Sequence, residues 1–397
     1  MQKLIYFLLL LPFFADSQND IRLFVFGNSL INHTFEVQPP TPSQETSVPH
    51  WFQILSEAGG HQFAVDGQFG FLPQHRNVPP IPNWGFDIVR GVWDADLIPF
   101  SAADFNTILL TPANFIQWQV PSENFPGESF SPIEATQEVF QWCADQEEDM
   151  TFYIYENWAD MAPYLSNGFP PTAQEWSTYN QYVQGEFKDW FADYHEAVAT
   201  QFPDNSVCLI PVGTTISRLL QTVPFNQIPI DELYQDDAPH GLSTIYFLAA
   251  MITYSAIHQE PAPRTLEIDP IVHQTVRDNY AAVVDFIWET LLNATDDSGA
   301  NTALCASRII DDINDLETET VDIQFQNPVR DVIELTTDLS FTTARIYDLH
   351  GRVCHATANV KDETMTIDCS NLPAGWYVLS LQDAEGRLLG ERQFVRQ

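Results

Sequence analysis

Residues 21–30 read Ile-Arg-Leu-Phe-Val-Phe-Gly-Asn-Ser-Leu. The mostly apolar run Ile21–Phe26 has the composition of a strand, and it ends in a glycine, a polar residue and a serine. As a strand it delivers Ser29 to the edge where the chain leaves the sheet, and open α/β sheets place their ligands at that carboxyl edge. Gly27 permits a tight turn there. Far downstream, Asp237-Ala238-Pro239-His240 sets a carboxylate and an imidazole three residues apart. A serine nucleophile with a histidine base and an orienting acid requires such a pair.

Outward from this strand, short apolar runs alternate with helical patterns. Further strands are expected at Gln62–Val65, Thr107–Leu110, Thr151–Tyr155 and Val207–Val212. Helices are expected at Trp51–Ala58, Ile133–Glu148, Thr172–Phe202, Thr214–Thr222, Leu242–His258 and Ile271–Leu292. Such alternation builds a parallel sheet wrapped by helices. Long stretches rich in proline and aromatic residues lie between them, at 37–50, 71–100 and 116–132. Loops of that length are commonly functional. Their Trp84, Trp93 and Trp118, with Trp158 after the fourth strand, can either stack on sugar rings or close over the sheet edge.

Met1–Ser17 combines Lys3, the apolar run Leu4–Phe14 and a small-x-small ending, the pattern of a secretory signal. Leu242–Ile257 is interrupted by Ser243, Thr244, Thr253 and Ser255. It reads as a buried helix, and no transmembrane segment is expected. The chain carries 16 Lys+Arg against 54 Asp+Glu, a net charge of −38. Such a surface repels nucleic acid, anionic membranes and polyanionic polysaccharides. A hydrophobic content of 45% argues for packed cores and against an acidic disordered chain.

The domain plan that follows is a signal over 1–17, an α/β unit over 18–295, an acidic linker over 296–322 and a β-sandwich over 323–397. The last region alternates short strands at Val332–Leu335, Thr343–Tyr347, Thr364–Ile367, Trp376–Leu381 and Arg392–Val395 with turn residues. An exported chain permits disulfides. Cys354 and Cys369 can close one loop, and Cys143 can pair with Cys208, leaving Cys305 over. There is no C-x-x-C or zinc-type His/Cys spacing and no Gly-rich phosphate loop, so neither a metal nor another cofactor is expected.

Serine needs a base to become a nucleophile. His240 fills that role, with Asp237 to orient its ring. A tetrahedral intermediate also needs donors for its oxyanion. Two further strand ends offer them: Asp66-Gly67-Gln68-Phe69-Gly70 and Thr111-Pro112-Ala113-Asn114. Gly70, with Gly67 as its rival, can give a backbone N–H and Asn114 a side-chain amide, beside the N–H of Ser29. Glu156, Trp158 and Trp118 lie where they can line a substrate pocket.

Ser29, Gly70, Asn114 and His240 occur in the order of the four namesake residues of the SGNH (GDSL-type) hydrolase family, which this chain resembles over residues 20–260. The first motif reads Gly-Asn-Ser instead of Gly-Asp-Ser, and the third Pro-Ala-Asn-Phe instead of Gly-x-Asn-Asp. The resemblance implies a flavodoxin-like parallel sheet with helices on both faces and a metal-free Ser–His–Asp triad. Asn327-Pro328, the stretch Ile346–Arg352 and the stretch Leu372–Tyr377 resemble a type IX secretion sorting domain. That implies export by the type IX machinery, removal of the domain and attachment to a bacterial cell surface or release. The expected function is a secreted serine ester hydrolase that removes acetyl or other acyl groups from a neutral carbohydrate. The alternatives are an esterase or lipase on simple esters, or an inactive glycan-binding surface protein on the same scaffold.

Overall fold

The computed structural model describes residues 20–33, 47–112 except 83, 87 and 88, 119–305 except 148 and 204, and, with several short breaks, 325–396. The expected signal, Asn114 and Trp118 lie outside the described residues. The chain divides into two compact units, Met1–Ser307 and Arg308–Gln397.

The first unit is built on five parallel strands: β1 (Ile21–Gly27), β2 (Phe63–Phe69), β3 (Thr107–Leu110), β4 (Thr151–Tyr155) and β5 (Val207–Ile210). Their order, β2-β1-β3-β4-β5, is that of flavodoxin-like doubly wound sheets. β1 lies between two neighbours, so Leu23, Phe24, Val25 and Phe26 are all buried and the strand reads as a continuous apolar run. The chain steps from β1 to one edge at β2, then crosses back to β3. Right-handed crossovers in opposite directions set their helices on opposite faces. On one face α1 (Val48–Gly59) packs against α7 (Ser243–His258), which also meets α6 (Val212–Leu219) and α9 (Tyr280–Leu292). On the other, α3 (Pro132–Ala144) packs against α2 (Leu72–His75) and α5 (Lys188–Ala199).

Local signals explain the boundaries. Ser47 caps α1 by accepting the His50 N–H at 3.0 Å, and Gly60, at φ 81°, ends it in the left-handed conformation. Ser131 and Glu134 close a capping box at the start of α3. The single helix expected over Thr172–Phe202 is α4 (Ala173–Tyr182) and α5, joined by a π-helical turn at Val183–Phe187. Gly185 takes φ −112° and ψ −106° within that turn. The helix expected over Ile271–Leu292 breaks at Asn279 into α8 (Gln274–Asp278) and α9. α7 is buried along its whole length, as expected of Leu242–His258, and no described helix is long and apolar enough to cross a membrane.

Two expectations change. The disulfide joins Cys208 to Cys305, with Cα atoms 5.8 Å apart, while Cys143 and Cys369 are buried thiols. Residues 296–305 are therefore part of the first unit and not linker. The Asp, Ser and Gly that gave them a linker composition form a turn in which Asp296 accepts from the Ser298 and Ala300 N–H groups. The returning chain offers the Thr302 carbonyl to the Leu209 N–H at 2.8 Å, which covers the edge of β5.

The second unit contains two antiparallel sheets. One has the order β11-β10-β7-β8, from β7 (Thr343–Asp348), β8 (Val353–Ala358), β10 (Gly375–Gln382) and β11 (Leu388–Arg396). The other pairs β6 (Val332–Thr336) with β9 (Thr364–Asp368). Ile333, Ile346, Ile367, Leu379 and Phe394 form their shared core. β8 was not expected. As an edge strand reading Val-Cys-His-Ala-Thr-Ala, it carries little of the alternation that marks a half-buried strand.

Candidate active site

The strand order reverses between β1 and β3, and the crevice at their carboxyl ends is where such folds bind ligands. Ser29 stands there. Gly27 sits in a tight place: a Cβ there would lie 3.0 Å from Ile31 and 3.2 Å from the Trp84 ring, so those side chains would have to give way by a few tenths of an ångström. Asn28 then turns the chain: its carbonyl accepts the Ile31 N–H at 2.9 Å and its Oδ1 the Leu30 N–H at 3.0 Å. The turn needs only a side-chain oxygen, so asparagine serves it as aspartate would. From α7 the buried Tyr246 hydroxyl donates to the Ser29 carbonyl at 2.5 Å.

His240 comes from a loop closed on itself. The Gln235 N–H donates to the His240 carbonyl at 2.8 Å, and the Leu242 N–H to the Leu233 carbonyl at 2.8 Å. Trp158 props this loop through its indole N–H, 2.7 Å from the Pro239 carbonyl. The His240 Nε2 lies 3.1 Å from the Ser29 Oγ, and its Nδ1 lies 2.8 Å from Oδ2 of Asp236.

The acid facing the imidazole is thus Asp236, and the expected Asp237 is displaced from that position. Oδ1 of Asp236 accepts the N–H of Ala238 at 3.1 Å and of His240 at 2.9 Å, which folds residues 236–240 into a turn and returns the ring over the Asp236 carboxylate. Asp237 is held through its main chain, its carbonyl accepting the N–H groups of Met161 and Ala162 at 3.0 and 3.1 Å. Burial pushes the Asp236 carboxyl up, but the His240 side-chain and main-chain hydrogen bonds and the ring's charge outweigh it and hold the group below the usual carboxylate range.

The glycines do not behave as expected of oxyanion donors. The Gly70 N–H is committed to the Gly27 carbonyl at 2.8 Å. Gly67 sits inside β2, opposite Val25 and under Trp84. The Ser29 N–H has no hydrogen-bond partner among the described residues.

Nor do Glu156 and Trp158 line a pocket, since each is 1% exposed. Trp158 is the loop's prop. Glu156 lies under the start of α6, where Oε1 accepts the Thr214 N–H at 2.6 Å. Trp84 and Trp93 pack over the sheet: Trp93 meets Phe24, Phe100 and Phe105, and Trp84 bridges to Gly67. Between these elements the Arg90 carbonyl accepts the Val65 N–H at 2.9 Å, so the loop after β2 covers that edge strand.

Glu156 supports a prediction about stability. Burial raises its carboxyl from 4.5 to about 8. The folded state therefore holds this proton to about pH 8, and the unfolded chain releases it near 4.5. Its contribution to stability is full below the unfolded value and is lost as pH rises through the folded one. Glu156→Gln keeps an acceptor for Thr214 and removes the titration. The variant should outlast wild type in thermal melts above pH 8, by a margin growing from acid pH toward ~5 kcal/mol. Parallel pH-dependent melting curves of the two proteins test this.

Three residues of this site were not singled out in the sequence. Asp236 was hidden by its neighbour, and Tyr246 by an apolar helix. His33 sits in Asn32-His33-Thr34, which as a sequence only resembles a glycosylation acceptor. Its ring lies flat on His240, with centroids 3.8 Å apart and planes at 13°. No local pattern announces any of the three; only the spacing of His33 four residues after Ser29 hints at proximity.

Residues 325–392 match the family model of the secretion system C-terminal sorting domain. The second unit is such a sorting domain, as its motifs led us to expect, and it directs the chain to secretion machinery and export. No curated protein matches the chain. Among solved structures it is similar to a carbohydrate esterase family 2 enzyme plus carbohydrate binding domain from Corynascus thermopiles (Myceliophthora fergusii), at 12% identity over 60% of this chain and 66% of that one, TM-score 0.28. It is also similar to the BSP domain of a biofilm associated protein, at 16% identity over 28% of this chain and 20% of that one, TM-score 0.19. A third is the complex of Porphyromonas gingivalis RgpB pro- and mature domains, at 10% identity over 95% of this chain and 68% of that one, TM-score 0.24. At such TM-scores these likenesses carry no argument about this chain's chemistry.

Proposed function

We propose that the first unit is an exported serine ester hydrolase acting through Ser29, His240 and Asp236. The observation that carries this is the continuous hydrogen-bonded line from the Ser29 Oγ through both ring nitrogens of His240 to the Asp236 carboxylate, at 3.1 and 2.8 Å. A histidine so held can take the hydroxyl proton as the oxygen attacks an ester carbonyl, return it to the departing alcohol, and then activate the water that cleaves the acyl-enzyme. Asp236 holds the ring and balances the imidazolium. The Ser29 N–H, with the Asn114 amide as its proposed companion, supplies the oxyanion with donors.

The favoured substrate is an acylated, uncharged carbohydrate. A chain of net charge −38 repels anionic polymers. Phe69 and Phe71 are 44% and 37% exposed on either side of Gly70, and such rings can stack on sugar faces. The same rings would also accept an acyl chain, so a simple-ester esterase is the second reading. A fluorophosphonate probe should label wild type at Ser29, and hydrolysis should persist with EDTA present. Higher kcat/KM on acetylated oligosaccharides than on p-nitrophenyl esters of longer acyl chains is the expected ranking, and the opposite ranking favours the simple esterase. Carbohydrate binding without labelling or hydrolysis would leave the glycan-binding reading.

A further inference from the structure

We infer that His33 is a positioning residue for His240, its ring face fixing the plane of the base and supporting the imidazolium formed when Ser29 gives up its proton. The inference rests on the hydrolase reading above. Asp236 and Ser29 meet His240 only at its edge, one at each ring nitrogen. Two edge contacts leave the ring able to tilt about the line joining those nitrogens. A ring stacked face to face at 3.8 Å removes that freedom. His33 is itself tethered: its Nε2 lies 3.1 Å from Oε1 of Gln235, the residue whose N–H closes the His240 loop. The stack therefore ties the turn after β1 to the loop before α7, the two segments that must meet for the serine and its base to align.

The support requires an uncharged His33, because two stacked cations repel. Burial pushes the His33 ring below its usual range and the neighbouring His240 pushes it the same way, against the Gln235 hydrogen bond and the Asp236 charge. Asp160 lies within electrostatic reach of Asp236 and Asp237, and its carboxyl is pushed up by burial, with those two adding to the rise. A neutral aromatic face over an imidazolium is an attractive arrangement, worth ~0.5–2 kcal/mol or about 2- to 30-fold in rate.

The test uses the full chain with His33→Ala, His33→Phe and Gln235→Ala, assayed on p-nitrophenyl acetate across pH, with fluorophosphonate labelling and melting temperature on the same preparations. H33A should lose about 2- to 30-fold in kcat with little change in KM, and the acid limb of its kcat/KM profile should move to lower pH as the imidazolium loses its support. H33F restores a ring without the hydrogen bond and should recover most of the loss. Q235A should cost less than H33A, and the double variant no more than H33A alone. If H33A melts early, the comparison of H33F with Q235A still separates the ring from its tether. Wild type that labels and hydrolyses while H33A keeps its kcat and acid limb overturns this inference alone, as does H33F no better than H33A. Wild type that neither labels nor hydrolyses overturns the hydrolase reading and this inference with it.

Discussion

Ser29→Ala is expected to abolish ester hydrolysis and fluorophosphonate labelling, with kcat falling by about 10³–10⁶, while the melting temperature hardly moves. The structure separates the two effects. The Ser29 side chain meets His240 Nε2 at 3.1 Å, whereas the turn that carries it is held through main-chain and Asn28 contacts that alanine retains. Tyr246 grips the Ser29 carbonyl and is indifferent to the side chain. A part-buried hydroxyl outside the core is worth about ±0.5 kcal/mol in stability. Near-normal hydrolysis by purified S29A would remove Ser29 from the mechanism. Equal carbohydrate binding by wild type and S29A, with no hydrolysis by either, would make the unit a binding protein.

What the sequence revealed and what it hid follow from how far each signal reaches along the chain. β1 was legible because a strand buried on both faces must be apolar throughout, and Ser29 because it ends such a strand. β8, an edge strand with a threonine, a histidine and small residues in its sequence, has no such constraint. The break at Val183–Phe187 lies in a segment whose apolar spacing continues across it, so periodicity reads one helix where backbone geometry makes two. Trp158 and Glu156 were placed correctly after β4, but position at a strand end does not say which way a side chain turns. Trp158 turns toward the His240 loop and Glu156 under α6, both away from solvent. The disulfide depends on residues 97 apart, beyond any local rule. His33 and His240 are far apart in the chain, and their stacking exists only once the sheet has brought β1 and the pre-α7 loop together.

The sharpest consequence of the fold lies in two adjacent aspartates. Asp236→Asn should lower kcat by about 10³–10⁴, and Asp237→Asn by less than about twofold, within the range of a substitution that touches no reacting group. In D236N the new side chain would still accept the Ala238 and His240 N–H groups through its Oδ1, so the 236–240 turn survives and the melting temperature should fall little. Its amide nitrogen, however, presents an N–H donor to His240 Nδ1, where the carboxylate accepts. That favours the ring tautomer with the proton on Nε2, facing the Ser29 hydroxyl, and such an imidazole cannot act as its base. The amide also lacks the charge that balances the imidazolium. Because the hydrogen bonds from His240 and Ala238 hold the Asp236 carboxyl below its ordinary range, its ionised form contributes stability that is present above the unfolded carboxylate value and is lost as pH falls through the folded value. Wild type should therefore lose more stability than D236N on acidification. Measuring kcat and acid-side melting on both variants decides which aspartate the histidine uses. A D237N protein that loses activity while D236N keeps it would return the acid to the position that spacing alone suggested. It would also mean that the turn in solution differs from the one that brings Oδ2 of Asp236 within 2.8 Å of the ring.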